Sequence, residues 1–286
     1  MRFTSFVRDG TPGLAIRAAD GRYLGLTRAD PDYPGDLDTV VSGGPAALAD
    51  ANQRLQLTGR PLDLAACTLL PPVTRAAKII CVGLNYAEHS QEAGYEVPSY
   101  PTLFARFHSS LTAHGAAIRM PAESAQLDYE GELAVIIGRR GRRIGRSDAL
   151  NHVAGYTIFN DATLRDFQFK TPQWTVGKNF DETGALGPEL VTADELPAGA
   201  AGLALQTRLN GVVVQEANTN DMIFDIATLI ATISEVMTLE PGDVIATGTP
   251  SGIGMARNPP LWMRAGDVCE VEIEGLGVLG NTVVQS

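Results

Sequence analysis

The stretch Asp128-Tyr129-Glu130-Gly131-Glu132-Leu133-Ala134-Val135-Ile136-Ile137-Gly138 sets two carboxylates two residues apart at the mouth of an apolar run. Strand alternation sends Glu130 and Glu132 to one face. Two acids held side by side repel each other unless a cation lies between them or one keeps its proton. A hard divalent metal is the simplest such cation. Thr157-Ile158-Phe159-Asn160-Asp161 reads as a second short strand ending in a carboxylate, which makes Asp161 the candidate third ligand. The Arg-rich, Gly-punctuated residues 139–147 between them read as a loop. Oxygen-only ligation suits Mg²⁺ or Mn²⁺ and argues against structural zinc. The competing reading is a solvated strand face that carries the pair without a metal.

Composition sets wider bounds. A chain of 286 residues can bury a substantial core, as one large domain or a large and a small one. A net charge of −11 disfavours nucleic acid and anionic membranes as partners. The basic cluster Arg139-Arg140-Gly141-Arg142-Arg143 is short and reads as a solvated turn. The three cysteines, Cys67, Cys81 and Cys269, are widely spaced, which suggests reduced core thiols. No apolar run approaches the roughly 18 residues of a membrane span, and residues 1–6 lack the apolar core of a signal peptide. The expectation is a soluble, cytoplasmic protein.

The chain divides near its first quarter. Residues 1–72 carry short alternating pieces (3–7, 14–16, 23–26) and a helix-like segment over 44–56, and are expected to form a small accessory domain. Pro71-Pro72 marks a linker, because proline neither donates to a ladder nor continues a helix. Residues 73–286 then form the main domain, opened by a buried strand over 78–83. That domain is mostly short strands, so the fold class is mainly β with a few helices (α+β). Met222, Ile223, Ile226, Leu229, Ile230, Ile233, Val236 and Met237 recur at helical spacing and predict one amphipathic helix. Residues 267–273 alternate and meet Gly275-Leu276-Gly277, as a half-exposed hairpin would.

A brief helix over 86–93 holds a second candidate for chemistry. Asn85 is a suitable N-cap, Glu88 stands three residues on as in a capping box, and Gly94 can close the end. His89 and Glu92 share a face at i, i+3. A histidine oriented by a carboxylate is a general-base unit; a solvated polar helix is the alternative. His108, His114 and His152 have no such partner and read as structural. Thr247-Gly248-Thr249-Pro250-Ser251-Gly252 follows a strand but lacks the Lys of a P-loop and the spacing of a dinucleotide fingerprint, so no nucleotide cofactor is expected. Thr249 and its neighbouring amides suit a carboxylate oxygen, or the segment is a simple tight turn. Lys178 alone is ambiguous between a site residue and a surface solubiliser.

Together these pieces resemble the fumarylacetoacetate hydrolase family over about residues 78–284. The motifs run in order: Val82-Gly83-Leu84-Asn85-Tyr86 with His89 and Glu92; Asp128-Tyr129-Glu130-Gly131-Glu132-Leu133; Asn160-Asp161-Ala162-Thr163-Leu164-Arg165-Asp166-Phe167-Gln168; Gly177-Lys178-Asn179-Phe180-Asp181; and Thr247-Gly248-Thr249-Pro250. The resemblance implies a rolled, partly mixed sheet, a homodimer, Glu130, Glu132 and Asp161 as ligands of Mg²⁺ or Mn²⁺, and His89 with Glu92 as the water-activating dyad. It makes Arg165, Gln168, Lys178 and Thr249 substrate or oxyanion contacts. Two departures stand out. Many relatives carry Lys-Pro at Arg106-Phe107, so Arg106 is expected to read a polar or anionic substrate tail, with a plain surface role as the alternative. Gly131 replaces a common β-branched residue and is expected to loosen the strand.

The implied chemistry is cleavage of a 2,4-dioxo acid to pyruvate and a carboxylic acid. The same site also serves oxaloacetate decarboxylation and isomerisation or hydration of 2-hydroxy dienoates, the runner-up reading. A binding protein that kept the fold without turnover is the third. The expected partner throughout is a small 2-oxo acid.

Overall fold

The computed structural model describes residues 1–286. Strands dominate, and one twelve-stranded sheet organises them. Its main path runs Arg60–Leu62, Tyr23–Thr27, Thr11–Arg17, Arg2–Arg8, Gly184–Thr192, Val153–Asn160, Gly131–Ile137, Val244–Ala246, Ile79–Gly83, Thr102–Arg106. Most neighbours are antiparallel; Val244–Ala246 pairs in parallel with Ile79–Gly83, so the sheet is mixed. A second sheet of five strands orders Val212–Asn218, Ala204–Leu209, Val268–Ile273, Gly277–Gln285 and Ile118–Met120. The expected hairpin at 267–273 is there, with Val268–Ile273 paired to Gly277–Gln285.

Gly131–Ile137 explains why its sequence is apolar at every position. It lies between two paired strands and is buried at all seven residues. Leu133, Val135 and Ile137 pack into a core shared with Leu205, Val271 and the helix residues Leu229 and Ile233. Ala134 and Ile136 enter a second core with Phe3, Leu14, Leu48 and Leu55. A strand covered on both faces has no solvent side to record as alternation.

That second core crosses the boundary drawn at residue 72. Arg2–Arg8 continues the main sheet against Gly184–Thr192, with Arg2 opposite Val191 and Phe3 opposite Leu190. The N-terminal segment therefore extends the large sheet and shares its core, and the Pro71-Pro72 punctuation marks a crossing between strands. Sequence showed the prolines but not the pairing partner about 190 residues away.

The amphipathic helix is shorter than its apolar periodicity. It spans Ile226–Val236, because Asp225 caps it by accepting from the Thr228 amide, while Met222 and Ile223 precede it. The N-terminal helix runs Gly44–Thr58. Of the thiols, Cys81 and Cys269 are buried as expected, whereas Cys67 is half-exposed. No helix is long and apolar enough to cross a membrane.

Candidate active site

Glu130 sits at the joint between the two-residue strand Leu127–Asp128 and the long strand Gly131–Ile137. Its amide donates to Asn160 Oδ1 at 3.0 Å, and the Asp161 amide donates back to the Glu130 carbonyl at 2.9 Å. This local pairing brings Asp161, just past the strand Val153–Asn160, against the two glutamates. Ligand oxygens of Glu130, Glu132 and Asp161, all buried, lie within 4.8 Å of one another.

Three cations surround the carboxylates unevenly. Lys178 Nζ lies 2.5 Å from Glu130 Oε2 and 2.6 Å from Asp161 Oδ2. Arg165 reaches Glu130 Oε1 at 2.6 Å and Asp128 Oδ2 at 2.9 Å. Arg106 pairs with Asp161 Oδ1. Glu132 has no cation at ion-pair distance; it accepts from the Gly248 amide at 2.9 Å. Burial alone would raise the Glu130 carboxyl, yet Arg165 and Lys178 outweigh it and hold the group at about 2. Burial, reinforced by the charges of Asp161 and Glu130, pushes Glu132 well above the usual carboxylate range. Burial would lower the Lys178 ammonium, but Asp161 and Glu130 reverse that and hold it above its ordinary value.

The deficit at Glu132 is the test of a metal. Three convergent carboxylates, one of them without a cation, fit a hard divalent ion whose charge would let Glu132 ionise, and the all-oxygen donor set suits Mg²⁺ or Mn²⁺.

The short helix Ala87–Glu92 brings His89 to the same cavity, which Glu130, Glu132, Arg165, Gln168, Lys178 and Thr249 also line. His89 Nδ1 is 3.0 Å from Glu92 Oε1, and the Gly252 amide donates to both Glu92 oxygens at 3.0 and 2.9 Å. A carboxylate only accepts, so Nδ1 carries the hydrogen, and in the neutral ring the lone pair is on Nε2. The helix is not capped as expected. Its cap position is Tyr86, without a side-chain bond. Asn85 instead bridges loops: its amide donates to Thr247 O and Phe224 O, and its carbonyl accepts from Phe224 N. Glu88 accepts from Ser251 Oγ at 3.2 Å rather than closing a capping box.

Arg106 is corrected from tail reader to buried counterion. Its side chain is 0% exposed and it is absent from the cavity lining. All three of its guanidinium nitrogens are engaged inside the protein, by Asp161, Ser110 Oγ, Thr183 Oγ1 and the Ala162 carbonyl. Arg165 pairs with Asp128, Glu130 and Gln168 Oε1 but, unlike Arg106, lines the cavity. Thr249 Oγ1 donates to the Gly131 carbonyl and accepts from Gln215. Gly131 is also corrected: it does not loosen the strand. A Cβ there would fall on Thr207 Oγ1 and lie 3.0 Å from Val271 Cγ1, so glycine permits the second sheet to close on the site.

Four side chains take roles that the sequence reading did not assign. Asp128 is fully buried and accepts from Arg165 and from the Gly254 and Met255 amides, tying the loop after residue 247 to the ligand strand. Its even spacing with Glu130 and Glu132 was the available signal. Gln215 accepts from Gly131 N and donates to Thr249 and Pro250 O. Phe104 and Trp174 pack edge to face at 5.5 Å and wall the cavity; nothing local in the sequence distinguishes them from core aromatics.

The family model described as fumarylacetoacetate (FAA) hydrolase C-terminal matches residues 78–284. A protein of Xenopus laevis named oxaloacetate tautomerase, mitochondrial, is 40% identical over 99% of this chain and 90% of its own length. A human protein of the same name is 41% identical over 96% of this chain and 88% of its own length. Among solved structures, a fumarylacetoacetate hydrolase of Exiguobacterium antarcticum superposes with a TM-score of 0.86 at 36% identity, covering 100% of both chains. A 5-carboxymethyl-2-hydroxymuconate delta-isomerase of Mycobacterium smegmatis gives 0.79 at 32% identity, again over 100% of both chains.

Proposed function

The chain belongs to the fumarylacetoacetate hydrolase family, and on that premise we propose that it is a keto–enol isomerase of a small 2-oxo acid, with oxaloacetate as the substrate to test first. The observation that carries this reading is the His89–Glu92 pair, with Nδ1 committed at 3.0 Å, lining the same cavity as Glu130, Glu132 and Lys178. The names of the two oxaloacetate tautomerases point the choice of substrate.

The chemistry needs one base and a place for negative charge. His89 Nε2 takes a proton from C3 of the keto acid; the C–H pair becomes the C2=C3 double bond and the C2 carbonyl pair moves onto oxygen. The imidazolium then gives the proton to that oxygen, so no co-substrate is consumed. Glu92 holds the ring in the required tautomer and stabilises the imidazolium. Lys178 places a buried positive charge beside the developing oxyanion. A divalent cation held by Glu130, Glu132 and Asp161 would supply further positive charge for the oxygens of the 2-oxo acid. Phe104 and Trp174 keep water from one side of the cavity.

A second reading, hydrolysis of a 2,4-dioxo acid, is favoured by the Exiguobacterium antarcticum neighbour, whose name is that of a hydrolase. The same Nε2 lone pair could take a proton from water. One pair of assays separates them: loss of enol absorbance with oxaloacetate, and pyruvate release from acylpyruvates, each with Mg²⁺ or Mn²⁺. Isomerisation is expected to dominate, and His89→Ala is expected to slow it by about 10²–10⁴-fold. An unchanged rate in His89→Ala would remove the base from the mechanism, and faster pyruvate release than isomerisation would make hydrolysis the activity.

A further inference from the structure

We infer that Arg257 and Tyr129 form a positioning pair for the His89–Glu92 dyad, acting through the peptide of Gly252. This rests on the reading of His89 as the base. Arg257 is half-buried yet forms no ion pair with any carboxylate. Its guanidinium donates to three neutral oxygens: Tyr129 Oη at 3.0 Å, the Gly252 carbonyl at 3.3 Å and the Val214 carbonyl at 2.6 Å. Tyr129, fully buried, donates its own hydroxyl to the same Gly252 carbonyl at 3.1 Å. Two donors from one side thus fix the carbonyl of residue 252.

The opposite side of that residue faces the dyad. Gly252 has φ +98°, and a Cβ there would fall on the Val214 carbonyl, so no other residue fits without strain. With its carbonyl pinned, the Gly252 amide is held toward Glu92, where it donates to both oxygens at 3.0 and 2.9 Å. Glu92 in turn holds His89 Nδ1 at 3.0 Å. The path from Arg257 to the base therefore runs through one glycine and one carboxylate. Tyr129 precedes the ligand Glu130, so the same pair ties the position of the base to the strand that carries the carboxylates. Neither Arg257 nor Tyr129 lines the cavity, which makes both positioning residues.

The role predicts a split between turnover and binding. In Arg257→Gln, kcat for the isomerisation is expected to fall by about 10²-fold, the scale of a displaced reacting group, while KM and the affinity for Mn²⁺ alone, measured by calorimetry, stay within about twofold. Arg257→Lys, which keeps a donor and the charge, should recover at least tenfold of the loss. Tyr129→Phe should lower kcat less, and the double variant no further than Arg257→Gln alone, because both act on one carbonyl. His89→Ala is measured alongside. If it keeps wild-type turnover, the base reading fails; if it is inactive while Arg257→Gln is normal, the positioning role alone fails. A fall in Arg257→Gln in which kcat, Mn²⁺ affinity and melting temperature drop together, without rescue by lysine, assigns Arg257 to general stability and overturns the inference. Should Arg257→Gln not fold, Tyr129→Phe decides by the same split.

Discussion

Glu132 and Arg106 show how the surroundings of a charge set its role. Glu132 is the carboxylate with no cation beside it, and burial with two like charges raises its proton affinity. Glu132→Ala is expected to weaken Mn²⁺ binding at least tenfold in calorimetry, because it removes one of three convergent oxygen donors; equal affinity would reject the ligand assignment. Arg106 is the reverse case, a cation with every nitrogen engaged inside the protein. Arg106→Met leaves the buried Asp161 with Lys178 alone, a cation it shares with Glu130, so the loss is expected below the roughly 3–5 kcal/mol of a wholly uncompensated buried charge. Urea denaturation should show that loss, while Arg106→Lys, which keeps the charge but not the fork to Thr183 and Ser110, loses less. Neither variant is expected to alter discrimination between substrate tails, since Arg106 does not reach the cavity.

At the scale of elements, the ligand strand works because the second sheet lies almost against it. Strands Ala204–Leu209 and Val268–Ile273 place Thr207 and Val271 beneath Gly131, midway between two candidate ligands. Gly131→Val inserts a branched side chain where even a Cβ has no room. It is expected to destabilise by about 1–3 kcal/mol, read as a lower melting temperature, and to weaken Mn²⁺ binding as Glu130 and Glu132 are pushed apart; a wild-type melting temperature would mean that the sheets separate freely. The same close approach shows why a β-propensity argument misjudged this glycine. Propensity describes a residue in its strand, whereas the constraint comes from a residue about 75 positions along the chain.

Across the whole molecule, one continuous sheet joins the first residues to the site-bearing strands. Val153–Asn160 pairs with Gly184–Thr192, which pairs with Arg2–Arg8. Phe3, Leu14 and Leu55 pack in the same core as Ala134 and Ile136 of the ligand strand. Expressing residues 73–286 alone would strip that core and open an edge at Leu190 and Val191, a surface prone to association. The truncated chain is therefore expected to be insoluble or to lack a cooperative thermal transition, measured by calorimetry. A truncated chain that melts cooperatively near the intact protein would restore the first quarter as a separate domain.

The local pattern of residues was enough for the mainly β class, for the family, and for the grouping of Glu130, Glu132 and Asp161 with a histidine and its carboxylate. Those features depend on short spacing: two residues along a strand, three along a helix, an acid at a strand end. Tertiary structure alone decided the fate of Arg106, the crowding at Gly131, the use of Asn85 as a bridge between loops and the link from Arg257 to Glu92. Each of these depends on which distant backbone closes over a side chain. Hydrogen bonds and van der Waals contacts act over a few ångströms, and separation along the chain carries no record of that closure.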